Sequence, residues 1–151
     1  MRRKFDSCQG YKSFVVYNYC METITCKDLW KELMVGEPDS QNVVACKERL
    51  STYSKDDWSV MAKEATDLTI MLGELVKYNV PVESKLAENG FDALIKHFYD
   101  WFFTIDKNNA EKLAFICSTH PRYIMFFDGY YPGLSKYIGK IGFRYSYKLT
   151  K

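Results

Sequence analysis

The sequence predicts an all-α protein, and three observations point there. The four prolines, Pro38, Pro81, Pro121 and Pro132, stand at breaks between segments rather than inside them. Between the breaks, apolar residues recur at i, i+3, i+4 and i+7, the period of a helix with one buried face. No Asn-Gly or Asp-Gly pair lies between alternating strands; Asp128-Gly129 separates two helical patterns instead. The expected architecture is a single bundle of about five to seven helices.

The elements follow in order. Residues 1–22 are rich in Tyr, Phe and Val without helical period, and are expected to form an irregular arm, strand-like or disordered, or a lid. The single helical domain then covers 23–151. Thr25 to Met34 and Ser40 to Tyr53 read as helices, joined by a turn through Pro38. The strongest helix runs from Ser54 to Lys77. Ser54 suits the N-cap, and Asp57 favours the positive end of the helix dipole. Its apolar face is Trp58, Met61, Ala62, Ala65, Leu68, Thr69, Leu72, Leu75 and Val76, while Lys55, Lys63, Glu64 and Asp67 fall mostly elsewhere. Asn79 and Pro81 end it.

A further helix begins near Ser84 with Phe91, Leu94, Ile95, Phe98, Tyr99 and Phe102 on its apolar face. Gly90 inside it marks a kink or a close helix contact. Asp106 to Thr119 carries Ala110, Leu113, Ala114 and Cys117. Pro121 opens a short helix to about Phe127, and Pro132 opens the last, with Leu134, Tyr137, Ile138, Ile141 and Tyr145 on one face.

Composition removes several classes of function. At 151 residues the chain fits one domain. A net charge of +2 is too small to imply nucleic acid by itself. Five cysteines, an odd number without CxxC spacing, read as reduced intracellular thiols and not as a disulfide framework or zinc site. The apolar run Phe14 to Tyr17 is too short for a signal peptide, and no segment approaches a membrane span, so the expected location is cytoplasmic. No nucleophile with a base partner, phosphate loop or metal-ligand motif is present, so neither an enzyme nor a cofactor is expected. His97 and Asp100 share one side of a helix and, with Asp106, form a polar edge more readily than an acid–base pair.

What remains is aromatic. Rings make up 17% of the residues. Tyr99, Trp101, Phe102 and Phe103 cluster at the end of one helix, and Tyr123, Phe126, Phe127, Tyr130 and Tyr131 around another. One helix face can enter a core, so some rings must point elsewhere; core packing and the lining of a ligand cleft both stay open. Tyr130 and Tyr131, before Pro132, are expected to be the most exposed. Lys136, Lys140, Arg144 and Lys148 make a basic ridge, read by default as a solvated face and alternatively as a contact for an anionic partner.

Three stretches carry a family resemblance. Tyr53-Ser54-Lys55-Asp56-Asp57-Trp58 opens a long helix; His97-Phe98-Tyr99-Asp100 follows; Arg122, Tyr123, Asp128, Pro132, Gly133, Leu134 and Tyr137 close the pattern. In order and spacing, residues 47–151 resemble the thiopeptide-recognition domain known as TipAS. The resemblance implies a globin-like all-α fold and non-catalytic binding of a bulky, largely apolar antibiotic, for sensing or sequestration. In that family the domain usually ends MerR-type transcription activators, whose winged helix needs more chain than precedes it here, so no DNA-binding domain is expected. The thiol that captures ligand in the family's best-known member would align with Asn108 or Lys112, which implies non-covalent binding. The implied ligand-binding set is His97, Tyr99, Asp100, Trp101, Phe103, Tyr123, Phe127, Tyr130 and Tyr131. The alternative is a regulatory interaction module in which the same rings form a homodimer interface.

Overall fold

A computed structural model describes residues 41–102 and 107–148. The arm at 1–22, the helix expected at 25–34, Phe103 and Asp106 lie outside the described residues. Every regular element within them is an α-helix: α1 (Gln41–Ser51), α2 (Lys55–Lys77), α3 (Lys85–Trp101), α4 (Lys107–Thr119), α5 (Pro121–Tyr130) and α6 (Leu134–Lys148). The protein is an all-α bundle.

Local chemistry sets the helix ends. The Ser54 hydroxyl accepts from the Asp57 backbone N–H at 3.1 Å, and the Asp57 carboxylate accepts from the Ser54 backbone N–H at 2.8 Å. This reciprocal box satisfies two donors that α2 would otherwise leave open. It also holds the Asp57 carboxyl below its usual range, first through the Ser54 backbone hydrogen bond. At the other end, Asn79 takes a left-handed φ of 52°. The Val80 N–H then reaches the Leu75 carbonyl at 2.9 Å, and Asn79 N–H that of Val76 at 3.0 Å. That double closure is a Schellman end, and Pro81 forbids continuation. Ser84 caps α3 by accepting from Ala87 N–H at 3.1 Å. His120 caps α5, with Pro121 at the first position, where its missing N–H is harmless.

Two boundaries differ from the sequence expectation. α5 runs to Tyr130, so Tyr130 ends a helix rather than lying in a loop. α6 opens at Leu134 and not at Pro132, because Gly133 adopts φ 86°, outside helical space. Asp128 spans the break: its carboxylate accepts from Ser135 N–H at 2.9 Å and satisfies a first-turn donor of α6.

The expected apolar faces form the core. Met61, Ala62, Ala65, Leu72 and Leu75 of α2 are buried, as are Phe91, Leu94 and Phe98 of α3. Ala110, Leu113, Ala114 and Cys117 of α4 and Leu134, Ile138 and Ile141 of α6 join them. Tyr99 does not; it points out from α3 and is exposed. Gly90 marks close packing: a Cβ there would lie 3.0 Å from Leu72 Cδ2.

α4 and α6 pack most extensively. They run antiparallel, with Ser118 against Gly139 and Ala114 against Gly142. A Cβ on Gly142 would fall 2.2 Å from Ala114 Cβ and 2.8 Å from Phe91 Cζ. The two backbones approach this closely because glycine leaves the space empty.

Candidate functional site

The α1–α2 corner docks on the C-terminal end of α3. α3 has no cation in its own last turn, and its final carbonyls need donors. Arg49 of α1 supplies both, donating to the Tyr99 carbonyl at 2.9 Å and to that of Asp100. The Tyr53 hydroxyl donates to the Trp101 carbonyl. A guanidinium at a helix C-terminus also meets the negative end of its dipole.

Rings close over this cap. Tyr53 meets Trp58 edge-on at 5.6 Å between centroids and Trp101 edge-on at 5.5 Å. The Trp101 indole N–H donates to a Glu64 carboxylate oxygen at 2.5 Å. The same oxygen lies 3.8 Å from His97 Nδ1. Glu64 therefore joins Trp101 and His97 across the α2–α3 contact.

His97 is only 7% exposed, and its Nε2 is buried without a hydrogen-bond partner. Its ring lies between Phe98 at 6.0 Å and Phe102 at 6.3 Å. Burial pushes its pKa below the ordinary value, outweighing the opposing pull of Glu64 and Asp100. The imidazole is accordingly neutral at pH 7. With the proton on Nδ1, toward Glu64, Nε2 is an acceptor inside an apolar surround.

The sequence-derived set divides between places. His97 and Trp101 meet at this junction through Glu64, with Tyr99 exposed on the adjoining surface. Asp100 does not share the buried position of His97; it is exposed and pairs with Lys96. Tyr123 and Phe127 are buried in the core, where Tyr123 meets the His120 ring at 5.3 Å and Phe127 meets Phe126 at 5.2 Å. Tyr130 and Tyr131 are half-buried and pack against the core, not exposed as expected. Helical extension carries Tyr130 onto Phe126, at 5.3 Å, and Tyr131 lies against Gly73. Phe103 lies outside the described residues.

Sequence reasoning assigned no role to Arg49, Tyr53, Trp58 or Glu64 at this site. Tyr53 and Trp58 flank the Ser54 cap, and that spacing was the available signal. Glu64 gave none, since a carboxylate off the apolar stripe resembles any solvated one.

The free thiols among the described residues are poorly placed to act as nucleophiles. Cys46 and Cys117 are free and buried, with pKa values pushed up to about 11 and about 12, by desolvation first in each case. Both stay protonated at neutral pH. Among the described residues, no group of three or more His, Cys, Asp or Glu could hold a metal ion, and no helix is long and apolar enough to cross a membrane.

Comparison with known protein families gives a match. The family model of the TipAS antibiotic-recognition domain matches residues 36–143. No curated protein and no solved structure matches the chain. The matched interval takes in α1 to α5, most of α6 and every residue of the junction. The chain belongs to the family of TipAS antibiotic-recognition domains.

Proposed function

We propose that the protein binds a bulky, largely apolar small molecule of the thiopeptide-like antibiotic class, without a covalent bond, for sequestration or sensing. The ligand would lie over the end of α3 against Tyr99, Asp100 and Trp101; Tyr130 and Tyr131 would touch only a ligand long enough to run on toward Gly73, nine residues along α2 from Glu64, and Phe103, outside the described residues, follows Trp101 in the chain. Tyr123 and Phe127 are buried, so their part would be to support the bundle behind the binding surface. Family membership supports antibiotic recognition in general.

The observation that carries the reading is His97 Nε2, a buried ring nitrogen with no hydrogen-bond partner, which accepts when the proton sits on Nδ1 toward Glu64. Such a group stands unfavourable by roughly 1–3 kcal/mol until a donor reaches it. A macrocycle built from amides offers N–H donors beside large apolar surface. Its rings and side chains would bury area against Trp101 and Tyr99 at about 25 cal/mol per Å2, less the ordering cost.

The test is a titration of tryptophan fluorescence with a panel of thiopeptides and other bulky antibiotics. Trp30→Phe and Trp58→Phe leave Trp101 as sole reporter. A saturable change at micromolar ligand or below is expected. Calorimetry on His97→Phe should show affinity reduced by about tenfold or more, the loss of one hydrogen bond to a buried group. A flat response from the whole panel in both methods would overturn the proposal.

A further inference from the structure

The outer face of the α4–α6 pair has no part in the reading above. Packing of Ala114 on Gly142 and Ser118 on Gly139 fixes an antiparallel seam. In such a seam, the residue following each contact points to the same side. Phe115 and Phe143 therefore stand together beside it, and both are open to solvent, at 56% and 45% exposure. Tyr147, one turn beyond Phe143, is 64% exposed. Large rings exposed together mark interaction surfaces far more often than isolated ones do.

The surround is basic. Lys136 and Lys140 precede Phe143 on the same stripe, about 6 Å apart along the helix axis. Lys112 lies one turn before Phe115. All three lysines are exposed and form no ion pair among the described residues. Glu111 is the single acid on this face of α4, and α6 contains none.

We propose that this face docks an acidic amphipathic helix of a partner protein. Cations one turn apart match carboxylates one turn apart on a helix laid along the seam. Phe115, Phe143 and Tyr147 then receive the apolar side chains between those carboxylates. A lipid bilayer fits less well. The apolar face of α6, with Leu134, Ile138 and Ile141, is already buried in the core and cannot insert. A second copy through the same face would set lysines against lysines.

The test uses the full chain and a synthetic peptide helix with Glu one turn apart and Leu between. Its controls are a scrambled peptide of equal composition, phosphatidylserine vesicles and a single-stranded oligonucleotide. Saturable, salt-sensitive binding of the patterned peptide is expected, with the scrambled peptide at least about tenfold weaker. Lys136→Glu/Lys140→Glu should reduce binding by about tenfold, and so should Phe143→Ser. Both sites are exposed, and a melting curve confirms that each variant folds. Equal binding of the scrambled peptide, stronger binding to vesicles or oligonucleotide, or indifference to these substitutions would overturn the proposal.

Discussion

Where α4 meets α6, small residues let two backbones come together. Where α1, α2 and α3 meet, large rings and polar groups make the contact. The first interface consists of Ala114, Ser118, Gly139 and Gly142 over Leu113, Ile138 and Ile141, all buried or nearly so. The second consists of Arg49, Tyr53, Trp58, Glu64, His97 and Trp101, held by hydrogen bonds and ring edges. The difference teaches what each region can do. A close-packed apolar seam has one arrangement and gives rigidity. A polar, ring-lined junction that leaves Nε2 of His97 unsatisfied is held at some expense to stability, and under the proposed function that nitrogen is the group a ligand would satisfy.

The comparison breaks most visibly at Phe91. Its ring is 1% exposed, packs against Tyr145 at 5.2 Å and approaches Gly142. Phe91→Ala should destabilise the protein by about 3–5 kcal/mol in chemical denaturation, through lost burial and a residual cavity. A loss under about 1 kcal/mol would show that the seam is loosely packed and the contrast unfounded.

Gly142→Ala should come next. The added Cβ would fall 2.2 Å from Ala114 Cβ, a backbone-anchored neighbour that cannot swing away. The helices must separate, and about 1–3 kcal/mol should be lost despite the better helix propensity of alanine. Ala114→Gly in the same chain should restore part of it, because the two changes share one contact. Full additivity of the two losses would argue against that packing.

These two regions were unequally legible in the sequence. Helical period revealed the buried face of α2, and the Ser54 cap and the Asn79–Pro81 stop gave its ends, because those signals are local. Gly90 was legible as a kink or a close contact, and the contact with Leu72 decides between them. Ser135, Gly139, Gly142 and Ser146 form a small-residue stripe on α6 that matters only once α4 is known to lie on it. Glu64 was similarly hidden. Its role comes from residues more than 30 positions away, and a half-exposed carboxylate carries no mark of its partners. Tyr99 was misplaced because an aromatic at the edge of a stripe fits either side.

The smallest effect sharpens the comparison furthest. His97→Phe replaces an imidazole that lacks one hydrogen bond with an apolar ring, among Phe98 and Phe102. Removing an unsatisfied buried group should stabilise the unliganded protein at pH 7 by about 1 kcal/mol. Glu64 remains half-exposed and keeps Trp101, so no charge is left stranded. The sign with pH follows from the depressed pKa. The unfolded state takes up a proton near the ordinary value of 6.5, whereas the folded state resists until lower pH. Titration of His97 thus costs no stability above pH 6.5, and stability is lost as pH falls through 6.5 toward the folded value. Denaturation between pH 7.5 and pH 5 should show wild-type stability falling in that window and His97→Phe nearly flat, so the gap between them widens with acid. If the two curves run parallel, His97 titrates alike folded and unfolded, and its surround is wetter than the burial of Nε2 implies. If the gap widens while the variant also loses ligand, the same nitrogen limits stability and enables recognition. The junction, unlike the α4–α6 seam, would then be a place where the fold has kept a polar group buried for use.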